Sequence, residues 1–138
     1  MKKILTIIAV LCFGLSGYGQ GMKLFIKDLQ TPKKVAQLNI TAAELITEET
    51  GGRVNATVSY YLITRNQDAK SPLIVDAINR GRAFRSGGLK IPINADQISR
   101  HVFSQLYLSD YSSSSSQGQL STETFRVYFE SEDVEILD

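Results

Sequence analysis

Residues 53–64, with the sequence RVNATVSYYLIT, form the clearest strand pattern in this chain. β-Branched and aromatic residues fill the stretch and alternate with small polar ones, which suits a pleated surface. Gly51-Gly52 directly before it is typical of a hairpin turn. Tyr60 and Tyr61 fall on opposite faces, so we expect at least one ring to be exposed, and Tyr61 is a candidate for partner binding.

The same period-two alternation recurs along the chain and predicts seven or eight short strands separated by turns. The other segments with this pattern are 22–27, 38–42, 89–93, 101–108, 122–129 and 133–137. No internal repeat is visible. This organisation is typical of an all-β protein, and we expect an immunoglobulin-like β-sandwich with at most one short helix.

Three segments need a separate interpretation. Residues 41–49 fit either a strand or a helix with a Thr-x-x-Glu capping box, and we favour the strand because a hairpin signal follows. Pro72-Leu73-Ile74-Val75 is a short apolar run, which we interpret as a buried strand that continues toward Ile78. Asn94 is suited to cap a short helix over residues 95–99.

Residues 1–19 fit a secretory signal peptide that is cleaved. Two lysines precede a short apolar run, and small residues stand before a cut at Gln20. The run is too short to span a bilayer as a helix. Cys12 lies inside it, and a lipid anchor there is the alternative, which the bulky Leu11 disfavours. We therefore expect an exported protein, periplasmic, on the cell surface or released, with one domain over residues 20–138.

The net charge and the counts of histidine and cysteine limit the kinds of partner and site that this chain can have. The full chain carries 15 Lys and Arg against 14 Asp and Glu, and without the signal peptide the balance is 13 to 14. This near-neutral charge gives no argument for nucleic acid or an anionic membrane as partner. The mature chain has one histidine, His101, and no cysteine, which excludes disulfides and a zinc site. We expect no cofactor and no transmembrane helix in the mature chain.

Nothing in the sequence predicts an enzyme, and we assign no catalytic and no metal-binding residue. Nucleophile-elbow and phosphate-loop motifs are missing, and His101 fits an ordinary strand position. The five carboxylates between Glu130 and Asp138 are interpreted as the solvated face of a last strand. Calcium binding and glycoside hydrolysis are the alternatives for this tail, but it lacks the spacing that either requires.

Two loops are the candidate partner-binding regions. Arg80–Gly88 places cations around an aromatic ring between glycines, which suits a carboxylate-bearing partner, while a merely solvated loop is the alternative. Ser109–Gln119 is a serine-rich loop that contains a tyrosine. The candidate partner-binding residues are Arg80, Arg82, Phe84, Arg85, Tyr61 and Tyr111.

We predict a non-enzymatic binding or assembly protein of the bacterial cell envelope, with a protein partner that could be a second copy of this chain. The basic loop of one copy would then meet the acidic end of the next. The first alternative is a structural subunit of a surface fibre or secretion apparatus, in which an unpaired first strand, Gly21–Asp28, pairs with a neighbouring copy. The more distant alternative is a small secreted hydrolase that uses carboxylates.

Overall fold

The computed structural model describes residues 6–10, 21–50, 56–115 and 121–137. The elements in these ranges are β1 Thr6–Val10, β2 Met22–Lys27, β3 Val35–Ile40, β4 Ala42–Thr50, β5 Ala56–Asn66, α1 Ser71–Asn79, β6 Ala83–Pro92, β7 Ile98–Ser114 and β8 Thr122–Leu137. Strands dominate, and no helix within these ranges is long and apolar enough to cross a membrane.

All the described strands belong to one antiparallel sheet in the order β1-β4-β5-β8-β7-β6-β2-β3. The seven strands β2 to β8 form its body, and β1 pairs with β4 at one end. The prediction of an all-β fold is confirmed. The immunoglobulin-like sandwich is wrong, because one sheet surrounds the core where two stacked sheets were expected.

The sheet curls until its far end meets β5. β3 continues into β4 through Thr41 alone, so one stretch of chain pairs first with β2 and then with β5. At this junction the N–H of Thr41 donates to the carbonyl of Thr64 at 2.8 Å. β3 therefore lies in contact with β5, and the sheet encloses a single core in the manner of a small barrel.

The enclosed core is apolar and continuous, because inward-pointing side chains alternate with outward-pointing ones along most of β2 to β8. Its largest fully buried apolar and aromatic side chains are Tyr61, Phe103, Phe125, Leu24, Ile26, Leu38, Ile63, Ile74, Leu89, Ile91 and Leu106. The period-two pattern of the sequence therefore locates most of the core correctly.

The regular pleat is interrupted on β7, and its neighbour β6 has a glycine at a close backbone approach. On β7, Phe103 and Leu106 both point into the core although they are three residues apart, and Gln105 between them has a φ of 51°. On β6, a Cβ at Gly88 would lie 2.4 Å from the carbonyl oxygen of His101. Glycine thus permits the close backbone approach that this corner of the sheet requires.

The segment predicted as a strand from Pro72 toward Ile78 is the helix α1, so that prediction is wrong. Ile74 and Ala77 are buried, and Ile78 packs beside them against the core. Pro72 stands in the first turn, where its missing N–H costs no hydrogen bond. A short apolar run fits either period, and here the helical spacing of its buried residues decides the structure.

Three further expectations have clear outcomes. Residues 42–50 form β4, so the strand interpretation of this segment is confirmed. Residues 95–99 do not form a helix; Asn94 Oδ1 instead accepts two backbone N–H groups at 2.8 and 2.9 Å and shapes a turn before β7. The idea that Gly21–Asp28 holds an unpaired first strand is wrong, since β2 pairs with both β3 and β6.

Some predictions concern residues outside the described ranges and stay predictions. They are the cut before Gln20, the state of Cys12, the turn at Gly51-Gly52, the end of the serine-rich segment at 116–119 and the last carboxylate, Asp138. β1 lies within the predicted signal peptide, and its pairing with β4 does not decide whether that segment is cleaved.

A buried ionic network closes the seam between β3 and β5. Arg65 on β5 is fully buried and lies directly opposite Glu123 on β8, to whose carboxylate its Nη1 donates. Its Nη2 donates to Asp68 at 2.5 Å, and its Nε donates to the carbonyl of Asn39 on β3 at 3.1 Å. The Tyr111 hydroxyl donates to the second oxygen of Glu123 at 2.6 Å. One guanidinium thus connects both sides of the seam.

Candidate functional site

A groove of about 300 Å³ lies on the outer face of the sheet, where β3, β2, β6 and β7 run side by side. Phe25, Gly88 and Val102 are aligned across β2, β6 and β7. The missing side chain at Gly88 leaves a depression between the two larger side chains. Val35 lines the groove from β3 and is 57% exposed. We call this depression and its lining the outer groove.

Three cations line the outer groove. Arg100 forms an ion pair with Glu135 on β8, and the Lys90 Nζ lies 5.6 Å from the centroid of the Phe25 ring. Lys27 has no ionic partner among the described residues. An apolar floor beside uncompensated positive charge is complementary to a group that is apolar and carries carboxylates.

The last part of β8, Glu130–Leu137, lies next to the outer groove and carries the opposite charge. Beyond Tyr128, β7 is the only described strand that pairs with β8, and no other described strand covers the second edge of this segment. Val134 and Ile136 lie on its core-facing side yet are 55% and 52% exposed, while Asp133 lies on the outer side opposite Val102. We call Glu130–Leu137 the acidic strand end.

A hydrogen-bonded network anchors the acidic strand end to the core. His101 Nδ1 lies 2.7 Å from Glu132 Oε2, and His101 Nε2 lies 2.6 Å from Ser99 Oγ. The Tyr61 hydroxyl donates to the same Glu132 oxygen at 2.5 Å. Burial acts to raise the pKa of Glu132, but the hydrogen bonds from His101 and Tyr61 outweigh it and hold this pKa below its usual value. Burial and the bond to Glu132 raise the pKa of Tyr61, which stays a proton donor.

Ser99, His101 and Glu132 follow the hydrogen-bond order of a serine hydrolase, in which a carboxylate orients the imidazole that activates the hydroxyl. Such chemistry also needs space for a substrate and donors for an oxyanion. Ser99 is only 9% exposed, and it lines neither the outer groove, which His101 lines in part, nor the groove beside it over β2, β3 and β6. The part of the chain that the structure describes contains no group of three or more His, Cys, Asp or Glu placed to hold a metal. The geometry favours a structural role for the network.

A row of tyrosines crosses the outer face elsewhere in the sheet. Tyr60 on β5, Tyr128 on β8 and Tyr107 on β7 lie directly opposite one another, and successive ring centroids are 5.1 and 5.0 Å apart. The Arg126 guanidinium lies 4.5 Å from the Tyr60 ring. Tyr60 is buried under this contact and Tyr107 is exposed, so the row reaches solvent at its β7 end.

The three arginines predicted to bind a partner have different surroundings in the structure. Arg80 forms an ion pair at 2.9 Å with a carboxylate one helical turn earlier in α1. Arg82 donates to the carbonyl of Asp28 at 2.9 Å and lies 4.7 Å from the centroid of the Phe84 ring. Arg85 is exposed on β6. Arg82 therefore connects the segment before β6 to the turn after β2. The three arginines make different contacts within the chain.

The aromatic candidates lie in or near the core. Phe84 and Tyr61 are buried, and Tyr60 is buried as well, so the expectation that one of the adjacent tyrosines is exposed is wrong. Tyr111 is half-buried and donates to Glu123. Burial and that bond raise the pKa of Tyr111 to about 12, which keeps its hydroxyl protonated.

Sequence reasoning missed the outer groove. The two predicted loops are largely strand, since β6 begins at Ala83 and β7 continues to Ser114. Gly87 and Gly88 were interpreted as the end of the predicted loop Arg80–Gly88. Adjacent glycines inside a strand, however, also indicate a depression or a close backbone approach. The alignment of Phe25 with Val102 across these glycines depends on strand register, which no local pattern reveals.

Two solved structures resemble the curled sheet closely enough to compare. A type six secretion system protein aligns with a TM-score of 0.62 at 15% sequence identity, over 82% of this chain and 81% of that one. A variant of the Hcp1 protein from the E. coli EAEC 042 pathovar aligns with a TM-score of 0.63 at 12% identity, over 85% of this chain and 97% of that one. This chain shares their fold. No family model matches the chain, and neither does any curated sequence compared with it.

Proposed function

We propose that this protein is a structural subunit of a secretion apparatus and works by associating with other copies of itself. The observation that supports this most is the fold shared with a type six secretion system protein and with Hcp1, of which the match spans 97%. The shared fold makes a structural subunit a better proposal than the binding protein that the sequence favoured.

The surface of the described residues supports the same proposal. The outer groove is apolar and cationic, while the acidic strand end exposes valine and isoleucine between carboxylates. A single chain that carries two complementary surfaces is suited to repeated contacts between copies. The proposed role is non-enzymatic, and in its support the Ser99 hydroxyl of the hydrogen-bond chain with catalytic order is buried among the described residues. Export is part of the proposal and is supported by the pattern of residues 1–19.

Expression of the full chain with its own leader in a bacterial host tests this proposal. The exported product is purified, its intact mass is determined, and its molar mass in solution is followed by light scattering over a concentration series. We expect a cut before Gln20 and a molar mass that rises in steps with concentration. A monomer at every concentration would contradict the structural-subunit proposal, whereas a retained leader would contradict only the export.

A further inference from the structure

The outer groove is a docking surface with a defined chemical preference. Gly88 leaves its floor without a side chain, and Val35 and Val102 on its walls are 57% and 41% exposed. Lys27 and Lys90 supply positive charge that no described carboxylate neutralises. An occupant therefore needs an apolar side chain for the depression and carboxylates for the two lysines.

The acidic strand end of this chain has that chemistry. Val134 and Ile136 are the exposed apolar residues, and they alternate with acidic neighbours. Of the carboxylates, Glu132 is held by His101 and Glu135 by Arg100, while those of Glu130 and Asp133 have no ionic partner among the described residues. Two carboxylates without an ionic partner thus stand on the same strand end as two exposed apolar side chains, and β7 is the only described strand that pairs with this strand end.

We propose that the outer groove of one copy binds the acidic strand end of a second copy. This inference rests on the proposed function, since it names the contact through which the subunits associate. Val134 or Ile136 fills the depression over Gly88, and the negative charge that Glu130 and Asp133 give the same strand end offsets the positive charge of Lys27 and Lys90.

The contact must form between different copies and in one direction. Within a copy, Asp133 is fixed opposite Val102 by the ladder between β7 and β8, so the acidic strand end cannot fold over into its own groove. Two acidic strand ends placed edge to edge would bring like charges together, which disfavours their pairing. Each copy therefore uses its groove for one neighbour and its strand end for another.

Charge reversal on each surface tests the contact in the full, exported chain. The groove variant is Lys27→Glu/Lys90→Glu, and the strand variant is Glu130→Lys/Asp133→Lys. A third protein combines all four substitutions. Lys33→Glu and Asp96→Lys are the matched controls, because both positions are exposed and lie outside the two surfaces. Circular dichroism and thermal unfolding check that every variant keeps the fold.

We expect each double variant to weaken self-association roughly tenfold or more in light scattering, because two attractive pairs become repulsive. The combined variant restores association to within about threefold of the wild type, and the controls do not change it. If the double variants associate more weakly and the combined variant does not restore association, the proposed contact is wrong. It is also wrong if none of the substitutions changes association. A wild type that stays monomeric contradicts the proposed function itself, so the two failures are distinct.

Cross-linking provides a second test that does not depend on charge. The predicted mature chain has no cysteine, so Val35→Cys in one sample and Val134→Cys in another place single thiols on the two surfaces. When the samples are mixed with a short bis-maleimide, we expect dimers that contain one chain of each variant. Equal yields of dimers from either variant alone would contradict a contact between groove and strand end.

Discussion

Removing the cation that closes the seam should cost this protein a large part of its stability. Arg65 is fully buried, its guanidinium contacts Glu123 and Asp68, and its Nε donates to Asn39 across the seam. Arg65→Met keeps an unbranched apolar side chain there but leaves the Glu123 carboxylate buried without its cation. Breaking one half of a buried ion pair costs about 3–5 kcal/mol.

Urea unfolding followed by circular dichroism measures this loss. With a slope of about 2 kcal/mol/M for a small protein, a loss of ~4 kcal/mol lowers the midpoint by ~2 M. Arg65→Met/Glu123→Gln should recover part of the loss, because the uncompensated negative charge is then gone. Arg85→Met is the matched control at an exposed position and should stay within ~0.5 kcal/mol of the wild type. If Arg65→Met unfolds within about 1 kcal/mol of the wild type at an unchanged slope, the network does not hold the seam.

Three other perturbations probe the packing and the anchoring network. The pKa of Glu132 is lowered in the folded protein. The stability that this carboxylate contributes is therefore complete above its unfolded pKa of about 4.3 and is lost as the pH falls through its folded pKa. The melting temperature should accordingly change less between about pH 3 and 7 in Glu132→Gln than in the wild type. Gly88→Ala places a Cβ 2.4 Å from the carbonyl of His101 and should cost roughly 1–3 kcal/mol in urea unfolding, whereas Gly21→Ala, which meets nothing within 4 Å, should be neutral. Ile74→Ala empties the buried face of α1 and should cost about 2–5 kcal/mol by the same measurement; a neutral result would mean that the helix does not support the core.

The strands were predictable because burial on one face imposes a period of two, and this pattern is local. The same alternation also predicts the buried ion pair between Arg65 and Glu123, which was not recognised in the sequence. Arg65 continues the inward face of β5 after Tyr61 and Ile63, and Glu123 precedes Phe125 on the inward face of β8. Opposite charges at inward positions of two strands predict a buried pair, since neither charge is stable in a core alone.

The closure of the sheet could not be predicted in this way. It depends on Thr41, where one continuous segment changes its partner from β2 to β5. Local alternation is the same whether neighbouring strands form two stacked sheets or one curled sheet, so the sandwich was a reasonable interpretation of the pattern. The helix α1 was missed for a related reason, because the three apolar residues after Pro72 satisfy either period.

The charged residues on β8 disfavour a two-fold dimer of this chain and favour a ring or a filament. A free strand edge without charge would pair with the same edge of another copy and stop at a two-fold dimer. Here Glu130 and Asp133 oppose that pairing, while Lys27 and Lys90 offer a complementary surface on a different part of the same chain. A contact between two different surfaces leaves one of each unused at the ends of every oligomer that has not closed. Association through this contact therefore continues until the copies close into a ring or extend as a filament, and the rotation between neighbouring copies decides which of the two forms.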